Sequence, residues 1–167
     1  QAVLAGGALF VLGAGAAADN SALLVAGASA GFLIHNWQPA MIFMGDVGST
    51  TLGFLLATIP LAAPTPERST TVFAMAMFLW FFLADGLYTM ARRTIQGEKP
   101  WTSHRSHLYQ LWTQAGHSHE GVVVRVMLMA VPLSLLTVAA VVRKDLFLQW
   151  VAAGLAVGLF ILYWRLA

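Results

Sequence analysis

Six apolar runs separated by short polar breaks constrain this chain more than any other feature. They fall at about residues 2–18, 22–34, 47–63, 71–90, 121–142 and 146–164. A helix needs about 20 largely apolar residues to cross the hydrocarbon layer of a bilayer, where every backbone N–H and C=O must be bonded internally. Only 10% of the 167 residues are charged and 59% are hydrophobic, whereas an ordinary soluble domain carries about 25% charged residues. The expected fold is therefore all-α, a polytopic transmembrane helix bundle of about six spans, with residues 1–167 forming a single membrane domain. The second run is short and rich in Gly and Ala. Gly13, Gly15, Gly27 and Gly31 are placed to let the first two helices approach closely.

Charge narrows the partners. Nine Lys/Arg face seven Asp/Glu, and the pI is near 9.4. The small basic excess suits loops that face anionic lipid or substrate. No basic stripe is interleaved with aromatics, so nucleic acid is not an expected partner. The absence of cysteine excludes disulfides and thiolate chemistry. The chain opens on Gln1 and enters an apolar run at once, and is read as the C-terminal part of a longer polypeptide. Positively charged loops mark the cytoplasmic side. The loop 91–120 carries Arg92, Arg93, Lys99 and Arg105, so it is expected inside, together with loop 36–48 and Arg165. Arg68, Arg143 and Lys144 then fall outside, leaving five charges against three in favour of this orientation. Trp37, Trp101, Trp112, Trp150 and Trp164 sit near span ends, as interfacial anchors do.

Three polar groups collect on the inferred inner face. The first lies in 31–53, GFLIHNWQPAMIFMGDVGSTTLG, where Asp46 stands between Gly45 and Gly48 at the head of an apolar helix, followed by Ser49. An ionised carboxylate in such a place is expensive unless it binds something. A helix N-terminus presents unbonded N–H groups and a positive dipole end, and glycines let an anion approach. A carboxylate there suits a divalent cation with oxygen ligands shared with phosphate. The alternative is that Asp46 simply caps its helix. The second group is Asp85, which shares a helix face with Thr89, Arg92 and Arg93. It reads as a buried acid paired with an arginine, or as a substrate or metal contact. The third is the loop GEKPWTSHRSHLYQLWTQAGHSHE, in which His104, Arg105 and His107 are bunched near Lys99 and Arg93. Such a cluster can grip a diphosphate and offset charge that builds during phosphoryl transfer; the alternative is a solvated or lipid-binding loop. His117 and His119 read as surface residues. The four histidines match no standard zinc spacing, and no Cys joins them.

NWQPAMIFMGDVGSTTLG resembles the signature N-x-x-P-A-x-x-F-M-G-D-x-G-S of the polyprenyl-phosphate N-acetylhexosamine-1-phosphate transferases, which include the peptidoglycan translocase and O-antigen initiating enzymes. ADGLYTMARRTIQGEKPWTSHRSHLYQLW is similar to the same family's helix-end Asp, Arg pair, Gly-x-x-Pro turn and histidine loop. The resemblance covers about residues 31–116, and the HRSHLYQ form is closest to the O-antigen branch. It implies transfer of an N-acetylhexosamine-1-phosphate from a UDP-sugar to polyprenyl (undecaprenyl) phosphate with release of UMP. The enzyme implied is Mg2+-dependent, with an active site on the cytoplasmic face of the bacterial inner membrane and a homodimeric assembly. Asp46 would be the Mg2+ ligand, and Asn36 and Phe43 would hold and stack on the uracil. His104, Arg105 and His107 would act catalytically on the diphosphate and sugar side. Gly45, Gly48, Ser49 and Arg93 would join the substrate site. The sequence departs from the family in two ways. Tyr109 and Gln110 stand where many relatives have further histidines, and the family's aspartate-rich motif is absent, since no two acids are adjacent. The chain is therefore not expected to turn over alone. The rival reading is a non-catalytic membrane scaffold or transporter subunit, which needs neither an inward polar cluster nor a divalent ion.

Overall fold

The computed structural model describes residues 1–99, 102 and 105–166. Among them, eight α-helices and no strand form: α1 (Ala2–Leu12), α2 (Ala16–Asn36), α3 (Gly45–Thr58), α4 (Thr65–Phe78), α5 (Trp80–Ile95), α6 (Leu108–Gln114), α7 (His119–Val142) and α8 (Leu146–Leu166), with a 3-10 turn, Ile59–Ala62, after α3. The all-α class holds, but the count of about six spans is too high. Three helices, α2, α7 and α8, are long and apolar enough to cross a bilayer, or four if α4 and α5 form one broken span.

The reasons are local. Gly13 takes a left-handed conformation (φ 63°) and ends α1 after 11 residues. The Asp19 carboxylate, which read as a terminator, instead lies in the first turn of α2 and accepts the Ala14 N–H at 2.7 Å. That bond satisfies a backbone donor at the break, so the short second run becomes a 21-residue helix. α3 has 14 residues, a rise of about 21 Å, which falls short of a full crossing. α4 and α5 meet at Leu79 with a bend of 73°, where one straight span over 71–90 was expected.

Two apolar clusters hold the bundle. One joins α1, α2, α3 and α4 through Ala5, Leu9, Ala18, Ala22, Leu56 and Phe78. The other joins α5 to α8 through Phe81, Leu108, Trp112, Leu133, Ala156 and Tyr163. Trp112 is therefore a core residue rather than an interfacial anchor; its indole N–H donates to the Leu166 carbonyl and its ring meets Tyr163 edge-on at 4.9 Å. Trp37, Trp150 and Trp164 are exposed, and Trp101 lies outside the described residues. Large apolar side chains such as Leu24, Phe54, Phe82, Leu128 and Phe147 are also exposed, as lipid-facing surfaces require.

The close approach of α1 and α2 rests on a glycine the sequence reading passed over. A Cβ on Gly6 would stand 2.7 Å from the Ala22 carbonyl oxygen and 3.0 Å from Ala26 Cβ, while Gly27 and Gly31 have open space around theirs. Adjacent Gly7 also faces nothing within 4 Å. Gly6→Ala is therefore expected to destabilise the protein by about 1–3 kcal/mol through overpacking. Gly7→Ala should be neutral or stabilising by up to about 1 kcal/mol through helix propensity. Thermal unfolding of the two variants in detergent checks the pair, and equal shifts would contradict the packing.

Candidate functional site

The α2–α3 connection is tied back on itself. Asn36, the last residue of α2, donates through Nδ2 to the Ile42 carbonyl at 2.8 Å, and the Met41 N–H donates to the His35 carbonyl at 2.9 Å. The closed loop delivers Phe43, largely exposed, to the start of α3. Gly45 has φ 66°, a region that a residue with a Cβ enters only with strain. The next residue is Asp46, in the first turn of α3. It does not cap the helix: the cap position is Met44, and no side chain bonds the free N–H groups. Among the described residues the Asp46 side chain, which is exposed, accepts no hydrogen bond and meets no cation. The Ser49 hydroxyl turns back to the Asp46 carbonyl at 3.1 Å. Gly48 sits over the Met44 side chain and, with Phe43, lines a recess between α2 and α3.

The basic hairpin after α5 is braced by side chains from α5 and α6. Arg93 is buried; its Nε pairs with Glu98 Oε2 at 2.7 Å, and its other nitrogens donate to the Thr102 hydroxyl (2.8 Å), the Thr102 carbonyl (3.2 Å) and the Lys99 carbonyl (3.3 Å). Arg92 donates to the Ser106 carbonyl at 3.0 Å and lies over the Tyr88 ring. Gln114 donates to the carbonyl of Arg105, whose side chain is exposed. Gln110 accepts the His107 N–H at 3.2 Å and so stabilises the start of α6. His104 lies outside the described residues.

Asp85 is buried beneath this hairpin. Its Oδ1 accepts the Leu108 N–H at 2.9 Å and the Thr89 hydroxyl at 3.1 Å, and its Oδ2 accepts the Tyr163 hydroxyl at 3.4 Å. His107 Nδ1 stands 3.4 Å from the same Oδ1. The arginine partner expected for Asp85 is replaced by these donors, because Arg92 and Arg93 point into the hairpin. His107 stacks on Tyr109, with ring centroids 5.7 Å apart. Burial, and then the Asp85 charge, push the Tyr109 phenol up from its ordinary value, so it remains an O–H donor at neutral pH.

The two halves meet at one end of the bundle. A groove of about 550 Å³ is lined by Asn36, Trp37 and Phe43 on one side and by Tyr109, His119 and Glu120 on the other. Tyr109 also lines a cleft of about 360 Å³ with Asp85, His107 and Tyr163. Asn36 and Trp37 also border an apolar cleft of about 830 Å³ that runs along α1, α2 and α7 past Phe32, Leu128 and Val131. The structure thus brings Asn36 and Phe43 together with the α6 end of the hairpin. Asp46, Gly45 and Ser49 stand just beyond Phe43 on α3, outside the lining of this groove, and Arg93 faces its own loop. His117 and His119, read as surface residues, are exposed, and His119 lines the groove together with Glu120. The signal that could have placed His119 and Glu120 at the groove is Ser118, which accepts the Gly121 N–H at 3.1 Å and starts α7 at His119, putting both residues in the first turn of that helix.

The fold and the groove define a polytopic membrane protein whose polar residues gather at one end of an apolar bundle. Residues 1–63 match glycosyl transferase family 4. Among curated relatives it is 33% identical over 118 residues to the decaprenyl-phosphate N-acetylglucosaminephosphotransferase of Mycobacterium tuberculosis, covering 64% of this chain and 29% of the relative. It is 27% identical over 145 residues to a probable undecaprenyl-phosphate N-acetylglucosaminyl 1-phosphate transferase of Bacillus subtilis, covering 85% of this chain and 37% of that one. It is 38% identical over 98 residues to a phospho-N-acetylmuramoyl-pentapeptide-transferase of Trichormus variabilis, covering 53% and 25%. The chain thus spans between a quarter and two fifths of the length of these relatives. No solved structure matches it.

Proposed function

We propose that the chain is the part of a membrane transferase that holds a UDP-N-acetylhexosamine against polyprenyl phosphate, undecaprenyl phosphate in a bacterial plasma membrane. The transfer releases UMP and begins a cell-envelope glycan of the O-antigen type. The observation that carries this reading is the groove in which the Asn36–Phe43 loop faces the α6–α7 corner and opens into an apolar cleft. A nucleotide base and a sugar need the first surface, and an isoprenoid tail needs the second. An inward polar groove is also what a plain scaffold has no use for.

In the reaction, a phosphate oxygen of the carrier attacks the β-phosphorus of the UDP-sugar. A new P–O bond forms, the bond to the bridging oxygen breaks, and UMP leaves with the electron pair. The attacking group is already an anion at neutral pH, so the protein's work is positioning and charge neutralisation rather than deprotonation. Phe43 offers an exposed ring for base stacking. Arg105, His107 and the N–H groups of the first turn of α3 offer donors to phosphate oxygens, and the Tyr109 hydroxyl offers one to the sugar.

Asp46 fits a Mg2+ ion shared with substrate. It is an exposed carboxylate with no partner among the described residues, and no group of three or more His, Asp or Glu side chains gathers among them. Mg2+ favours such sparse donor sets, keeping waters and sharing phosphate oxygens. Bound there, it would supply positive charge to the diphosphate. A cytoplasmic placement of the groove is supported by the four Lys/Arg carried by the loop 91–120.

The test is to assay the full-length natural protein against a panel of UDP-N-acetyl sugars with polyprenyl phosphate, with and without Mg2+. Mg2+-dependent UMP release with at least one sugar is expected. No release from any member of the panel would refute the reading.

A further inference from the structure

We infer that Glu120 selects the sugar of the donor, accepting hydrogen bonds from a neutral hexosamine and repelling one that carries a carboxylate. As a choice among donors, this role rests on the transferase reading. The groove between the Asn36–Phe43 loop and the α6–α7 corner is lined by polar side chains without a fixed charge, Asn36, Gln38, Tyr109 and His119, and by Glu120. Among the described residues that line it, Glu120 is the one Asp, Glu, Lys or Arg. Ser118 caps α7 and so fixes Glu120 in the first turn of that helix. The carboxylate is exposed and, among the described residues, accepts no hydrogen bond and meets no cation. Within the fold its attraction is to the positive end of α7, which leaves its oxygens free to accept from a ligand.

A carboxylate with no Lys or Arg beside it makes this wall repel anions. The diphosphate of a UDP-sugar is therefore held elsewhere, and a neutral part of the donor faces Glu120. Phe43, on the opposite wall, offers its ring to the base, which leaves the sugar. Hydroxyls of a neutral hexosamine can donate to the carboxylate, and such charge-assisted bonds are about twice as strong as neutral ones. A carboxylate on the sugar would meet a like charge instead, and a repulsive element of that kind is what separates similar ligands.

The test takes the full-length protein in nanodiscs and measures UMP release from the best-used neutral donor of the panel and from its uronic acid, which has a carboxylate at C6. The wild type is expected to favour the neutral donor in kcat/KM by about 10- to 100-fold, and the preference should shrink as salt screens the repulsion. Glu120→Gln should lower kcat/KM for the neutral donor by about 3- to 10-fold, the difference between a charged and a neutral acceptor. The same variant should raise kcat/KM for the acidic donor by about 10-fold. A residue that only supports the fold would move both donors in the same direction. A wild type that uses the acidic donor as well as the neutral one overturns the proposal, and so does a preference that Glu120→Gln leaves unchanged. Should the variant fail to fold, the wild type decides, because a preference that is the same in about 10 and 500 mM salt is not electrostatic. If no donor of the panel releases UMP, the transferase reading falls and this role falls with it. Release with a preference independent of Glu120 leaves that reading standing and overturns this role alone.

Discussion

Asp46→Asn in the full-length protein is expected to lower UMP release by about 10²- to 10³-fold, the scale for removing one preorganised charge contact from a reaction in which charge builds on phosphate. The fold should be untouched. Asp46 is exposed, accepts no hydrogen bond among the described residues, and does not cap α3. Asn is nearly isosteric and tolerated in a first helical turn. Losing the charge costs at most its interaction with the helix dipole, about 0.3–1 kcal/mol, so thermal unfolding and activity should separate. The residual activity should also respond less steeply to Mg2+ than the wild type does. An unchanged rate at saturating substrate would remove Asp46 from the reaction. An unchanged rate with a lowered melting temperature would return it to the helix-capping role that its spacing first allowed.

The sequence was most legible where a residue's type and its immediate neighbours settle its role. Asp46 could be placed at the head of a helix because Pro39, Gly45 and Gly48 bracket it, and α3 does begin at Gly45. The apolar runs were legible as helices because membrane-length hydropathy is a one-dimensional property. Their lengths were less so. Whether a run crosses unbroken depends on single residues such as Gly13, whose left-handed turn looks like any other small residue in an apolar string. Leu79, where α4 and α5 bend by 73°, carries no breaker at all.

Partnerships between distant residues were the least legible. Asp85 meets Tyr163, 78 positions away, and no local pattern encodes that contact. Gln110 looked like a missing histidine, and its role in fixing the start of α6 shows only once His107 precedes it at the helix boundary. His119 is exposed, as a surface reading has it, but its place in a groove was not legible, because the facing wall is Asn36 to Phe43, some 80 residues earlier in the chain.

Arg93 gives the second large effect, and its variants decide between a brace and a substrate contact. Its guanidinium holds Glu98, Lys99 and Thr102 at once, a fan of donors that only a planar guanidinium supplies. Arg93→Met keeps the buried stem and removes the fan. The hairpin then loses the tie that orders it, and UMP release is expected to fall by about 10²-fold, since displacing a positioning element by about 1 Å is enough for that loss. Arg93→Lys should rescue little, because a single ammonium cannot reach all three partners. Glu98→Gln should be mild, because Glu98 is half exposed and its share of the ion pair is screened. Hydrogen exchange at Gly97, Glu98 and Thr102, whose N–H groups donate within the hairpin, is the discriminating measurement. A brace predicts faster exchange at all three in Arg93→Met before any substrate is added. A direct substrate contact predicts unchanged exchange in the free protein, with a raised KM for the UDP-sugar as the main kinetic defect.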